Sequence, residues 1–70
     1  MDKQVLKQFG ENIKKFRKER KLTQEALADA SEIERSYMGT IERGERNPTL
    51  LKVYRIAKAL KVSAEQLLPF

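Results

Sequence analysis

Seventy residues without a cysteine or a histidine leave this chain one way to hold itself together, a single apolar core. Neither a disulfide framework nor a structural zinc site is available to it. A chain of this length makes one domain and buries about 60% of the surface its unfolded form exposes, so that core is small and every apolar position counts. The same two absences exclude a catalytic thiol and an imidazole base. A site built from oxygen ligands alone would need clustered acids, and the acidic residues are scattered, with no D-x-[DN]-x-[DN]-G loop. No metal, cofactor or small-molecule ligand is expected. No set of acid, base and nucleophile converges by helical spacing, so an enzyme is not expected either. The start, Met1-Asp2-Lys3-Gln4, lacks an apolar stretch of the secretory kind, and no run approaches the roughly 18 apolar residues of a membrane span. The reading is a cytoplasmic protein with no membrane partner.

The apolar residues recur at helical intervals. Val5, Phe9, Ile13 and Phe16 are spaced 4, 4 and 3 apart, with lysines between them, which describes an amphipathic helix from Lys3 to Arg20. Gly10 lies inside it, a cost of about 1 kcal/mol against Ala that makes sense if another backbone needs the space. Thr23 reads as an N-cap for a short helix from Gln24 to about Ala30. After a turn at Ser31-Glu32-Ile33, the stripe Ile33, Tyr37, Met38, Ile41 marks a third helix closed at Gly44. Asn47-Pro48 ends a loop, and Thr49 caps a fourth helix carrying Leu50, Val53, Ile56, Ala57 and Leu60. Ser63 and Gln66 have capping-box spacing for a last short helix with Leu67 and Leu68, stopped by Pro69. No stretch alternates like a strand. The expected fold is all-α, one five-helix domain over residues 1–70.

Charge is unevenly placed. The formal net charge is +5, made of +5 in residues 1–21, −4 in 22–45 and +4 in 46–70. A basic balance favours nucleic acid or anionic membrane surfaces as partners, though only as a broad class. The acidic middle contains a short helix, a three-residue turn and a second helix, with Leu27, Ala28, Ile33, Met38 and Ile41 where the two must touch. Small Ala28 suits two helices that cross closely after a short turn.

The ordered motifs carry a resemblance. Phe16 through Ala28, then Arg35-Ser36-Tyr37-Met38, Ile41-Glu42-Arg43-Gly44 and Arg46-Asn47-Pro48-Thr49, resemble the helix-turn-helix DNA-binding domain of phage Cro and repressor proteins and their bacterial relatives. Over roughly residues 9 to 68 the chain is similar to small phage repressors and to the controller proteins of restriction-modification systems. The resemblance implies a lambda-repressor-like five-helix fold with the helix-turn-helix at about 24–43, and a sequence-specific regulator of transcription bound to double-stranded operator DNA. It implies base contacts from Arg35, Ser36 and Thr40, with Arg35 suited to a bidentate bond to guanine O6 and N7. It implies phosphate contacts from Gln24, at the amino end of the second helix, and from Arg43, Arg46 and Asn47. Arg17 and Glu42 match the family's ion pair, which also turns the arginine toward a phosphate. Tyr37 has two roles open, core packing beside Met38 and contact with DNA. Glu34, a weak cap for the third helix, has three: accepting from cytosine N4, repelling phosphates, or standing exposed.

Two positions depart from the family pattern. Glu32 and Lys61 stand where glycine is common, so each must take a left-handed conformation at roughly 1 kcal/mol or the turn must differ. Leu51 and Tyr54 lie off the core stripe of the fourth helix, and Leu68 and Phe70 exceed the needs of so small a core. Apolar side chains on adjacent C-terminal elements, over about 49–68, suggest a two-fold homodimer that would read an inverted repeat. RNA polymerase is a further partner for such a regulator. The competing reading is a protein-interaction module, an antitoxin or adaptor, that uses the same fold.

Overall fold

A computed structural model describes residues 2–70, which form five helices in the order expected: α1 (Lys3–Glu19), α2 (Gln24–Ser31), α3 (Arg35–Glu42), α4 (Leu50–Leu60) and α5 (Ala64–Leu67). The starts follow from capping chemistry. Thr23, Thr49 and Ser63 each accept a backbone N–H of the first turn through the side-chain oxygen, and Ser63 and Gln66 complete the reciprocal capping box. Asp2 does the same for α1. Glu34 precedes α3 without a side-chain cap, as its poor capping chemistry predicts.

The ends share one device. Lys21, Glu32, Gly44 and Lys61 all have φ between 56° and 76°, the left-handed region, and only one of them is glycine. Each closes its helix by the same pair of bonds: Ile33 N–H to Ala28 O at 2.9 Å after α2, for example, and Val62 N–H to Ala57 O at 3.0 Å after α4. The residue that follows is apolar three times, and Leu22, Ile33 and Val62 all pack against the core. That hydrophobic contact is the usual companion of such a cap and offsets the strain of a side chain at positive φ. Glu32 and Lys61 therefore keep the turn geometry that glycine would favour.

The core contains Phe9, Ile13, Leu27, Ala28, Ile33, Met38, Ile41, Val53, Ile56, Ala57, Leu60 and Leu67. These follow the helical stripes read from the sequence, with Phe16 and Tyr37 half-buried against the core, Val5 half-buried outside it, and two corrections in the C-terminal elements. Leu50, placed on the α4 stripe, is 83% exposed. It is the first residue of its helix, and side chains of a first turn lean toward the amino end, here off the edge of the core. Leu68, expected beyond the core, is half-buried and packs against it.

α2 packs mainly on α4 and α3, and α1 crosses α3. That crossing explains Gly10. A Cβ there would lie 2.5 Å from the carbonyl oxygens of both Ile41 and Glu42, so α1 and the end of α3 touch backbone to backbone. α5 is tied down by Asn12 of α1, whose Nδ2 donates to the Leu67 carbonyl at 2.8 Å.

Candidate nucleic-acid interface

The reading unit is supported from below by a buried polar cluster. Arg17 of α1 meets Glu42 of α3 in a two-point pair, Nε to Oε2 at 2.7 Å and Nη2 to Oε1 at 3.1 Å, and its Nη1 donates to the Leu22 carbonyl at 3.0 Å. Gln24, first residue of α2, donates Nε2 to Glu42 Oε1 at 3.1 Å. One carboxylate, 3% exposed, thus accepts from two other helices. A bidentate arginine–carboxylate pair with its remaining lone pairs used is the arrangement that makes burial of two charges tolerable. The pair expected from the resemblance is present. Gln24 makes the link to α3 that its position allowed, and its Oε1 lies over Gly39, whose Cβ would come within 3.3 Å of it. α3 is thereby fixed against both α1 and α2.

The outward face of α3 carries the residues expected to read bases. Ser36, Thr40 and Arg43 follow one another at i, i+4 and i+7, and Arg35 and Ser36 are exposed in the first turn. Three of these side chains already have local partners, Arg43 among them through Glu45. The Ser36 hydroxyl donates to the Glu34 carboxylate, and the Thr40 hydroxyl donates to the Tyr37 carbonyl at 2.6 Å. Back-bonding of this kind ties down the Thr40 hydroxyl and leaves its methyl group for contact. Glu34 is exposed at the tip.

Tyr37 takes the packing role left open for it. It is half-buried and packs against the core, while its ring faces the Arg46 guanidinium at 5.6 Å and the Lys52 ammonium at 4.8 Å. Cation–π attraction thus holds both cations close to the Tyr37 ring. Lys52 was missed by sequence reasoning. The signal available was its place in the first turn of α4, three residues beyond the cap that follows the Asn47-Pro48 loop. Arg46 and Asn47 are exposed in that loop. Arg43 instead bonds within the loop, Nε to Glu45 Oε2 at 3.0 Å and Nη2 to Oε1 at 3.3 Å. The hydrogen bonds and charge of this pair raise the Arg43 guanidinium above its ordinary value and hold the Glu45 carboxyl below its own.

Among the described residues, Leu50, Leu51, Tyr54 and Phe70 are the exposed large apolar ones. Leu51 and Tyr54 line a groove with Val62 and Ala64, and Leu68 and Phe70 line a second with Val5 and Leu6. Leu50 borders both. Leu50 is thus exposed beside the residues expected at a dimer interface, and Leu68 of that set is half-buried. Among the described residues no three acidic side chains gather to hold a metal, and no helix is long and apolar enough to cross a membrane.

Comparison with known proteins places this geometry. The profile of the helix-turn-helix family matches residues 13–67. The control protein C.SmaI of Serratia marcescens is 45% identical over 60 residues, 86% of this chain and 71% of that protein. The immunity repressor of Bacillus phage phi105 is 47% identical over 53 residues, 76% of this chain but 37% of that longer protein. The crystal structure of the restriction-modification controller protein C.AhdI from Aeromonas hydrophila superposes with a TM-score of 0.87 at 39% identity, covering 89% of this chain and 94% of that one. Every helix from α1 to α5 lies wholly or partly in the matched span, and the chain belongs to the helix-turn-helix family, with the fold of the controller protein it superposes on.

Proposed function

We propose that this protein is a non-enzymatic transcriptional regulator that binds double-stranded DNA in a sequence-specific way, as a homodimer on an inverted-repeat operator. The observation that carries the reading is the outer α3 face, with Arg35 and Ser36 exposed and Thr40 half-buried on a helix held by the buried Arg17–Glu42–Gln24 cluster. Arg35 bonds guanine through O6 and N7. The Thr40 methyl meets a thymine methyl, since its hydroxyl is engaged with Tyr37, and Ser36 accepts through its free lone pairs while Glu34 accepts from cytosine N4. Arg46 and Lys52, set together on Tyr37, grip the backbone with Arg43 and Asn47. Arg17, whose side chain is 12% exposed, gives one edge of its guanidinium to a phosphate beside Gln24. The two copies meet through Leu50, Leu51, Tyr54 and Phe70, and the two α3 helices enter major grooves about one helical turn apart. The names of relatives, control proteins and an immunity repressor, support the regulatory role, in which RNA polymerase is the machinery blocked or recruited.

Selection of bound sites from random duplexes tests this reading. The expected product is an inverted repeat with half-sites one turn apart. Arg35→Ala then costs about 1–3 kcal/mol on that site and relaxes one base pair, whereas Arg46→Ala weakens all sequences alike. The apolar α4 face also suits a protein-interaction module. No duplex binding at low salt assigns the protein to that second class, because phosphate neutralisation should make binding strongest there.

A further inference from the structure

We propose that Glu45 acts as a built-in substitute for a DNA phosphate, holding Arg43 in the free protein and braking its engagement with the DNA backbone. The inference rests on the DNA-binding reading above. Arg43 and Glu45 meet at two points, Nε to Oε2 at 3.0 Å and Nη2 to Oε1 at 3.3 Å. That two-bond geometry is the one a guanidinium uses on a phosphate, so the carboxylate and a DNA phosphate compete for the same donors. The carboxylate is also anchored where it interferes most. Gly44 turns the chain at φ 76°, and the Glu45 N–H bonds the Thr40 carbonyl at 2.9 Å, so the backbone cannot carry Glu45 away from the α3 face. Only a side-chain rotation releases Arg43. After that rotation the carboxylate still lies between Arg43 and Arg46 in sequence, close to the phosphates those arginines approach.

Both side chains are more than half exposed, at 60% and 55%, so the pair is weak enough to be exchanged rather than a permanent part of the fold. The exchange has the same cost on every sequence. It lowers occupancy of random DNA, where backbone contacts are all there is, and leaves measurable binding to sites that add base contacts.

The test compares Glu45→Gln with Glu65→Gln on the full chain, using the selected operator and a random duplex of equal length. Glu65 is exposed on α5, which packs against α1 and α4, so it carries the same charge change away from α3. Glu45→Gln should tighten both duplexes by the same factor, about fivefold at low salt. Glu65→Gln should give less than about twofold, through screened long-range charge alone. The log-log salt dependence should steepen by up to about one unit in Glu45→Gln, since the released wild-type carboxylate takes up a cation that offsets counterion release. In an Arg43→Gln background, Glu45→Gln should gain no more than Glu65→Gln does. Equal gains from the two single variants, or a gain that survives loss of Arg43, overturns the role of Glu45. Wild-type protein that binds neither duplex overturns the DNA reading itself and this inference with it. Binding by the wild type with a silent Glu45→Gln overturns the inference alone.

Discussion

The two sides of α3 differ in what they ask of the backbone. Toward α1 the chain uses two of its three glycines, Gly10 against the Ile41 and Glu42 carbonyls and Gly44 with a would-be Cβ 2.7 Å from Lys7 Cα, while the third, Gly39, faces only the side chains of Gln24 and Arg43. Toward α4 it uses none. The turns after α2 and α4 have the same left-handed conformation as Gly44, yet Glu32 and Lys61 occupy them. The lesson is that glycine here answers to space more than to φ. Where two backbones touch, a methyl group has nowhere to go. Where only the dihedral is unusual, a following apolar contact offsets the strain. The polar side is also complete in itself, with Glu42 fully partnered, whereas the α4 side leaves Leu50, Leu51 and Tyr54 in contact with water.

The sharpest way to break the contrast is Gly10→Ala. A methyl group 2.5 Å from two carbonyl oxygens forces α1 off α3, and we expect a loss of about 3 kcal/mol or more in urea unfolding, with the Arg17–Glu42 pair disrupted. Retention of wild-type stability would show that the helices separate at little cost. On the opposite side, Leu51→Glu combined with Tyr54→Glu should weaken self-association by about 2–4 kcal/mol in sedimentation equilibrium, while monomer stability stays within about 0.5 kcal/mol. An unchanged dimer would move the interface elsewhere. Glu32→Gly and Lys61→Gly test the cap argument. Each relieves left-handed strain but loosens the unfolded chain, for a net gain of about 0.5–1 kcal/mol, and a loss at either site would mean that the side chain makes a contact worth more than the strain.

The smallest effect is the titration of Glu45. Its carboxyl is held below the ordinary value by the hydrogen bond and charge of Arg43, so its small contribution to stability is present above the unfolded pKa and fades as pH falls through the folded one. Side-chain carboxyl NMR should show the depression in the wild type and its loss in Arg43→Gln. An unshifted Glu45 in the wild type would remove the pair in solution.

Local chemistry made most of the fold legible. Thr23, Thr49 and Ser63 announce helix starts because a cap is formed within four residues. The stripes of Ile13, Leu27, Met38, Ile56 and Leu60 announce the core because helical period is itself local. The positive φ at Glu32 and Lys61 is one of the two outcomes that the family pattern leaves open there, whereas nothing in that pattern points to Lys21, a non-glycine in the same conformation. Leu50 misled because period alone cannot tell where a helix's first turn runs off the edge of its neighbours. In the candidate site, the resemblance pointed to Arg17 with Glu42 and to the exposed Arg35. It did not point to Lys52, which reaches Tyr37 only because α4 folds back beside α3, nor to Glu45 as the partner of Arg43.

By itself, then, the sequence determined an all-helical chain with five helical segments, three of them announced by their caps, and one core, since each of those rests on residues a few positions apart. The tertiary structure decided which charges are free to meet a partner. Arg17 is 25 positions from Glu42 and is nearly buried on it. Arg43 is held by Glu45, and Arg46 and Lys52 converge on Tyr37. Net charge counts all of these arginines and lysines alike. Their availability depends on distance and burial, which exist only once the helices have packed.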